Sequence, residues 1–169
     1  MDNSTQIDKI LSLVRTKSEA GEVLISLENF MGAFFSSKEQ SDLKAYFYRL
    51  SKTLADALSD TFAKEPITEA NRDKIETLVK QLQEALKTCT VLTMTIAFRS
   101  DEETITVFSS WAKENVGINT VLEIQVDKTI GGGALIVVNG KYKDYSIKKK
   151  LGGIFQIQRE EITALLGNT

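Results

Sequence analysis

Two aspartates, Asp127 and Asp144, lie in a glycine-rich stretch near the end of the sequence, and paired carboxylates can perform general acid-base catalysis. No nucleophile, base or metal-ligand spacing accompanies them. The chain also has no histidine, which excludes Ser-His and Cys-His catalysis and imidazole ligation of metals. Structural roles are favoured: Asp127 follows a strand and can accept backbone N–H bonds, while Asp144 can favour a helix N-terminus. We therefore expect no catalytic residue, no metal site and no cofactor.

The consecutive glycines Gly131–Gly133 could instead form a phosphate cradle. A phosphate-binding loop ending at Gly140 would require a glycine where the sequence has Leu135. A dinucleotide fingerprint that started at the first of the three glycines would require its last glycine where the sequence has Ile136. Both patterns fail. The glycines are better explained by a sharp bend or by close approach to another stretch of backbone.

Lysines crowd the stretch that follows the glycines. They are Lys141, Lys143, Lys148, Lys149 and Lys150. Three of them would stand in the first turn of a helix, where cations oppose the helix macrodipole. Three explanations stay open: an exposed solvated face, an acidic protein partner, or nucleic acid. Nucleic acid is the weaker choice, because the net charge is −2 and no aromatic stacking platform accompanies the lysines.

Local signals show which elements position these residues. Asn139-Gly140 predicts a type I′ turn, since that turn needs φ > 0 at both central residues. Ala134–Val138 and Lys141–Asp144 should therefore pair as an antiparallel hairpin, with the first strand buried. Ser146 can then cap a helix. Almost no connecting residues remain between the strand, the glycines, the hairpin and the helix.

This stretch resembles the C-terminal signature of the δ subunit of F-type ATP synthases, the homologue of the mitochondrial oligomycin-sensitivity-conferring protein. The spacing agrees without a gap over about 26 residues. The residues that carry the resemblance are Val126, Asp127, Ile130, Gly132, Gly133, Ile136, Asp144, Ser146 and Leu151. The chain departs from the family where Lys128 replaces a proline, Gly131 an isoleucine and Tyr145 a glycine.

The resemblance implies a non-catalytic stator subunit, peripheral to the cytoplasmic face of a bacterial plasma membrane. Its N-terminal bundle would grip the amino-terminal helix of an α subunit, and its C-terminal domain would engage the b subunits. Such a subunit stops the catalytic head from turning with the rotor during proton-driven ATP synthesis. Lys148, Lys149 and Lys150 are possible partner contacts. The alternative is a nucleic-acid or ribosome-associated module that uses the Lys141–Lys150 cluster.

The first half of the chain shows helical periodicity. Residues 5–16 predict a short amphipathic helix, and a second apolar stripe ends at the Ser36-Ser37 break. Ser37 and Gln40 predict a capping box that opens a third helix running to Phe62. A fourth helix, capped by Thr68, carries Ile75, Leu78, Val79, Leu82 and Leu86. Four stripes with short connections predict a bundle, and the wide apolar face of the second helix offers a groove for a partner helix.

After the fourth helix, apolar residues recur at every second position. Leu92, Met94, Ile96 and Phe98 alternate with smaller or polar residues, which predicts a half-buried strand. A capping box of Ser100 and Glu103 opens a helix that ends by Gly117, and a second strand leads to Val126. We therefore expect an α+β protein, with a helical bundle at 1–88 followed by a β-α-β-β-α domain at 89–169, and a last short helix at 159–166.

Composition agrees with a globular chain. Hydrophobic residues make up 42% and charged residues 26% of 169, which argues against disorder. The lone Cys89 cannot form an intrachain disulfide and is expected to be a small buried residue. No apolar run approaches the roughly 18 residues of a membrane span, and no signal peptide is recognisable, so we expect no direct membrane insertion.

Overall fold

The computed structural model describes residues 3–36, 46–63 and 71–152. Four helices come first, followed by a four-stranded sheet with one crossover helix. The elements are α1 (Asn3–Leu13), α2 (Lys17–Ser36), α3 (Lys52–Ala63), α4 (Arg72–Lys87), β1 (Thr90–Ile96), α5 (Glu102–Asn115), β2 (Thr120–Val126), β3 (Ala134–Val138) and β4 (Lys141–Asp144). A further helix, α6, covers residues 147–152, and the short helix expected at 159–166 lies outside the described residues. The predicted α+β class is confirmed.

The four N-terminal helices bury their apolar stripes in one core. Helix α1 packs against α3 and α4, and α2 packs against α4. The centre of this core includes Ile10, Val14, Val23, Leu27, Leu58, Val79 and Leu82. Each of these side chains is fully buried. The α4 stripe is buried as its spacing predicts, whereas Thr68, its expected cap, lies outside the described residues.

Aromatic rings join this core where α2, α3 and the preceding turn meet. The centroids of Phe30 and Phe62 are 5.0 Å apart, and those of Phe47 and Phe62 are 6.1 Å apart. All three side chains are at most 2% exposed. They are core residues, as their helical spacing predicts.

The predicted third helix is wrong in its first part. Residues Tyr46–Leu50 form a turn closed by the Leu50 N–H donating to the Phe47 carbonyl over 3.1 Å, and α3 begins only at Lys52. Ser51 stands directly before the helix, and its carbonyl accepts the N–H of Ala55 over 2.9 Å. A serine at this position favours a helix start. The expected capping box at Ser37 and Gln40 lies outside the described residues.

The sheet has the strand order β2-β1-β3-β4. Strands β1 and β2 are parallel and joined by α5, while β3 pairs antiparallel with both β1 and β4. The hairpin is confirmed, with Asn139 at φ 50° and Gly140 at φ 71°. The expected β-α-β-β-α order therefore gains a strand, because both arms of the hairpin join the sheet.

Three finer predictions about this half are wrong. Phe98 lies beyond the end of β1 and is 49% exposed. Helix α5 is capped by Asp101, whose carboxylate accepts the Thr104 N–H over 2.8 Å, and not by Ser100. Strand β3 is only partly buried, because α5 packs on β2 and covers the sheet unevenly.

Candidate functional site

The stretch from Val126 to Leu151 is called the signature segment below. At its start, the backbone N–H of Asp127 donates to the Ile96 carbonyl over 2.8 Å. The Asp127 carboxylate accepts the Thr129 N–H over 2.8 Å and so caps a short 3-10 helix, Lys128–Ile130. These bonds from Thr129, helped by the charge of Lys148, hold the pKa of the Asp127 carboxyl below its usual value. The aspartate organises the backbone at the end of β2.

The other aspartate performs the same task at the end of β4. The Asp144 carboxylate accepts the Ser146 N–H over 2.8 Å. Ser146 in turn accepts the Lys149 N–H at its hydroxyl over 3.2 Å, which caps the start of α6. Hydrogen bonds from Ser146 lower the pKa of the Asp144 carboxyl, and the charge of Lys149 contributes. The structure does not bring the two aspartates together as an acid-base pair.

The glycines lie against the backbone that precedes α6. The N–H of Ile147 donates to the Gly132 carbonyl over 3.0 Å, and the N–H of Tyr145 donates to the Ala134 carbonyl over 2.9 Å. Gly133 has φ +77°, and a Cβ built on it would lie 2.3 Å from the Tyr145 carbonyl oxygen. A side chain at Gly133 would therefore collide with backbone, which has little freedom to move.

The three lysines of the first turn of α6 are all exposed. Lys148 and Lys149 lie close enough to Asp127 and Asp144 to lower the pKa of those carboxyls. Each carboxylate thus offsets a cation that would otherwise oppose the helix macrodipole. This offset accounts for two of the three lysines in the first turn, Lys148 and Lys149.

The apolar ends of the signature segment remain open to solvent. Val126 is 48% exposed and Leu151 is 46% exposed. They are therefore not core positions in the isolated chain. Side chains of this type at the two ends of one segment are available for contact with a partner.

A second cluster, which we call the junction, ties the α1–α2 connection to the sheet. The Leu122 N–H donates to the Arg15 carbonyl over 2.9 Å, and Thr16 forms a parallel bridge with Leu122. Lys17 pairs with Glu123 at 2.7 Å. The connection therefore covers the outer edge of β2, and backbone polar groups of that edge are satisfied.

Lys113 of α5 completes the junction from the other side. Its ammonium donates to the carbonyls of Leu11, Ser12 and Val14 over 2.8, 2.6 and 2.7 Å. These carbonyls are among those left without partners where α1 ends. Burial lowers the pKa of Lys113 to about 8, although the nearby Glu19 carboxylate opposes that shift. A cation at this helix end also complements the macrodipole.

Arg15 links the same elements through its guanidinium. It pairs with Glu19 on α2 and, at 2.8 Å, with Glu102 on α5, and it donates to the Thr106 hydroxyl over 3.1 Å. Sequence inspection did not single out Arg15 or Lys113. The one usable signal was that Lys113 is the sole cation in the sequence of α5 and follows Ala112, a residue of the predicted apolar face.

The capped aspartates should make the protein sensitive to acid. Their folded-state pKa values are lowered, so their contribution is present above pH about 4 and is lost as the pH falls through the folded-state values. Asp144→Asn keeps an acceptor oxygen but no titrating group. Between pH 5 and 2, its free energy of unfolding should fall less steeply than that of the wild type in urea titrations. Equal slopes would contradict this account of Asp144.

Two other kinds of site are absent from the described ranges. No helix there is long and apolar enough to cross a membrane. The same residues form no cluster of three or more histidine, cysteine or acidic side chains that could hold a metal ion.

The signature aspartates and glycines of this α+β chain organise backbone, which is a structural role. Residues 69–156, more than half of the sequence, match the family model described as the ATP synthase delta (OSCP) subunit. The chain therefore belongs to this family. No curated protein matches the sequence.

Membership gives the chain its general role. It is a structural subunit of the peripheral stalk of an ATP synthase and not an enzyme. In the complex it is peripheral to the membrane. The match covers α4 of the bundle, the whole described sheet and the signature segment. It does not include α1, α2 or α3.

Proposed function

We propose that this subunit is a stator link, which holds the catalytic head through its helical half and the b subunits through its C-terminal half. In this role it resists rotor torque during proton-driven ATP synthesis, at the cytoplasmic face of a bacterial plasma membrane. The family match over the signature segment is the observation that carries the proposal. We take residues 1–88 and 89–169 as the two working halves.

The helical half has a suitable surface for the amino-terminal helix of an α subunit. Helix α2 buries Val23, Leu27 and Phe30 in the bundle but leaves Ile25 53% exposed. Leu24 and Met31 are only partly buried. An amphipathic helix binds by laying its apolar face on such side chains. The outer face of α2 is therefore our assignment for the α contact.

The C-terminal half offers the signature segment to the b subunits. Its exposed apolar residues Val126 and Leu151 lie in the same segment as Lys148, Lys149 and Lys150. Apolar side chains with adjacent cations suit an amphipathic helix that carries carboxylates. We assign this segment to the b contact.

The junction supports the transmission of force between the two contacts. Only Thr88 and Cys89 separate α4 from β1, and the Thr88 N–H still bonds to the Glu84 carbonyl over 3.0 Å. Val121 of the sheet is buried in the helical core. A link with bonds at several points transmits load better than a flexible tether, whose ends move independently.

The test separates the two contacts. The immobilised full chain should capture an α-subunit amino-terminal peptide and a soluble b-subunit dimer at the same time. Ile25→Asp should abolish peptide capture and leave b binding unchanged. Changing Lys148, Lys149 and Lys150 together to glutamine should weaken b binding about tenfold, since three partly screened charges contribute roughly 0.5 kcal/mol each.

The matched control replaces three exposed lysines of the helical half, Lys52, Lys80 and Lys87, by glutamine. It removes the same charge and should leave b binding unchanged. Capture of neither partner by the wild-type chain would refute the stator link. Salt-sensitive RNA binding lost in the Lys148–Lys150 variant would instead support the nucleic-acid alternative.

A further inference from the structure

Helix α5 carries an exposed apolar ridge. Val107 is 60% exposed and Trp111 is 42% exposed. They stand four residues apart and so lie on one face of the helix. The neighbouring face, about 100° around the helix, packs on the sheet through Phe108 and Ala112. An isolated apolar side chain on a surface is ordinary, but an adjacent pair that includes a tryptophan marks an interaction surface.

Two charged residues of α5 lie beside this ridge, and both are acidic. Glu103 precedes Val107 by four positions, and Glu114 follows Trp111 by three, so both carboxylates flank the ridge. No ion pair involves either of them among the described residues. The one lysine of α5, Lys113, turns away and is occupied by the carbonyls at the end of α1.

We propose that the α5 ridge, formed by Val107 and Trp111 between Glu103 and Glu114, is a docking surface for a basic amphipathic helix of a partner protein. The apolar pair would contact the apolar face of that helix, and the two carboxylates would pair with its lysines or arginines. This surface is distinct from the exposed face of α2 and from the signature segment. It goes beyond the stator link and does not depend on it.

Charge complementarity favours a basic helix as the partner of the α5 ridge. A second copy of this chain would place the same carboxylates opposite one another, and like charges across an interface are unfavourable. An acidic or neutral helix would leave Glu103 and Glu114 without partners. A basic helix satisfies both carboxylates and covers the apolar pair at once.

Trp111 provides the measurement, because it is the chain's only tryptophan. The probe is an 18-residue peptide of leucine and lysine with one apolar face, titrated into the full-length protein while tryptophan emission is recorded. Binding should shift the emission to the blue and protect Trp111 from iodide quenching. A twin peptide with glutamate in place of every lysine should cause neither change.

Variants test the ridge itself. Val107→Ser should weaken binding of the lysine peptide about tenfold, as expected for the loss of one well-packed apolar contact. The double variant Glu103→Gln, Glu114→Gln should reduce the preference for the lysine peptide over its glutamate twin. Ile118→Ser, which removes an isoleucine that is 48% exposed outside both proposed contact surfaces, is the matched control and should bind like the wild type.

Several results would overturn the proposal. Equal binding of the two peptides would show that charge does not select the occupant. Unchanged affinity in Val107→Ser would show that the peptide binds elsewhere. Protection of Trp111 from iodide in the free protein would mean that the ridge is already covered, by a second copy if the protection depends on protein concentration and by the chain itself if it does not.

Discussion

Gly133→Ala should lower the free energy of unfolding by about 3 kcal/mol, the sum of a positive-φ penalty and an unrelieved collision. The added Cβ would lie 2.3 Å from the Tyr145 carbonyl oxygen and 3.1 Å from the Ser146 Cα. Both atoms belong to backbone held by the Asp144 and Ser146 caps. The glycine can be replaced only if this backbone moves. Urea unfolding gives the measurement.

Gly131→Ala is the matched control for this prediction. Gly131 has φ +71°, close to that of Gly133, but a Cβ there meets no atom within 4 Å. The change should therefore cost only the conformational penalty, about 1 kcal/mol. If the two variants are equally stable, the contact with Tyr145 has no energetic consequence. The Gly133 variant should also lose b-subunit binding, because α6 starts from the displaced backbone.

Lys113→Met should lower the free energy of unfolding by about 2–3 kcal/mol, because a charged donor to three carbonyls is removed. Methionine retains most of the side-chain volume, so the loss reports the hydrogen bonds to Leu11, Ser12 and Val14 and not a cavity. The Leu122 N–H, which donates to the Arg15 carbonyl, should exchange with solvent faster in the variant. Hydrogen exchange and urea unfolding measure the two effects.

Lys80→Met is the control for Lys113. Lys80 lies on α4 with its side chain 68% exposed and pairs with Glu76 in the preceding turn. Its replacement should change the free energy of unfolding by no more than about 0.5 kcal/mol. A Lys113 variant that matches this control would show that the junction does not depend on the lysine.

The local elements could be predicted because their causes are local. The 3.6-residue period gave α1, α2 and α4, and the two-residue period gave β1 and β2. Asn139-Gly140 specified the hairpin, since only a few residue types accept φ > 0 in sequence. The misplaced start of α5 has the same explanation: Asp101 competes with the neighbouring Ser100 as the cap, and propensity alone does not choose between them.

Among the described residues, the sequence by itself determined most of the helices and strands and the hairpin within the segment from Val126 to Leu151. Tertiary structure decided what those segments touch. Lys113 bonds to a carbonyl 99 positions earlier, and Gly133 meets Tyr145 across a hairpin. Sequence periodicity cannot predict such contacts, because they depend on how packed elements place residues that are far apart in the chain.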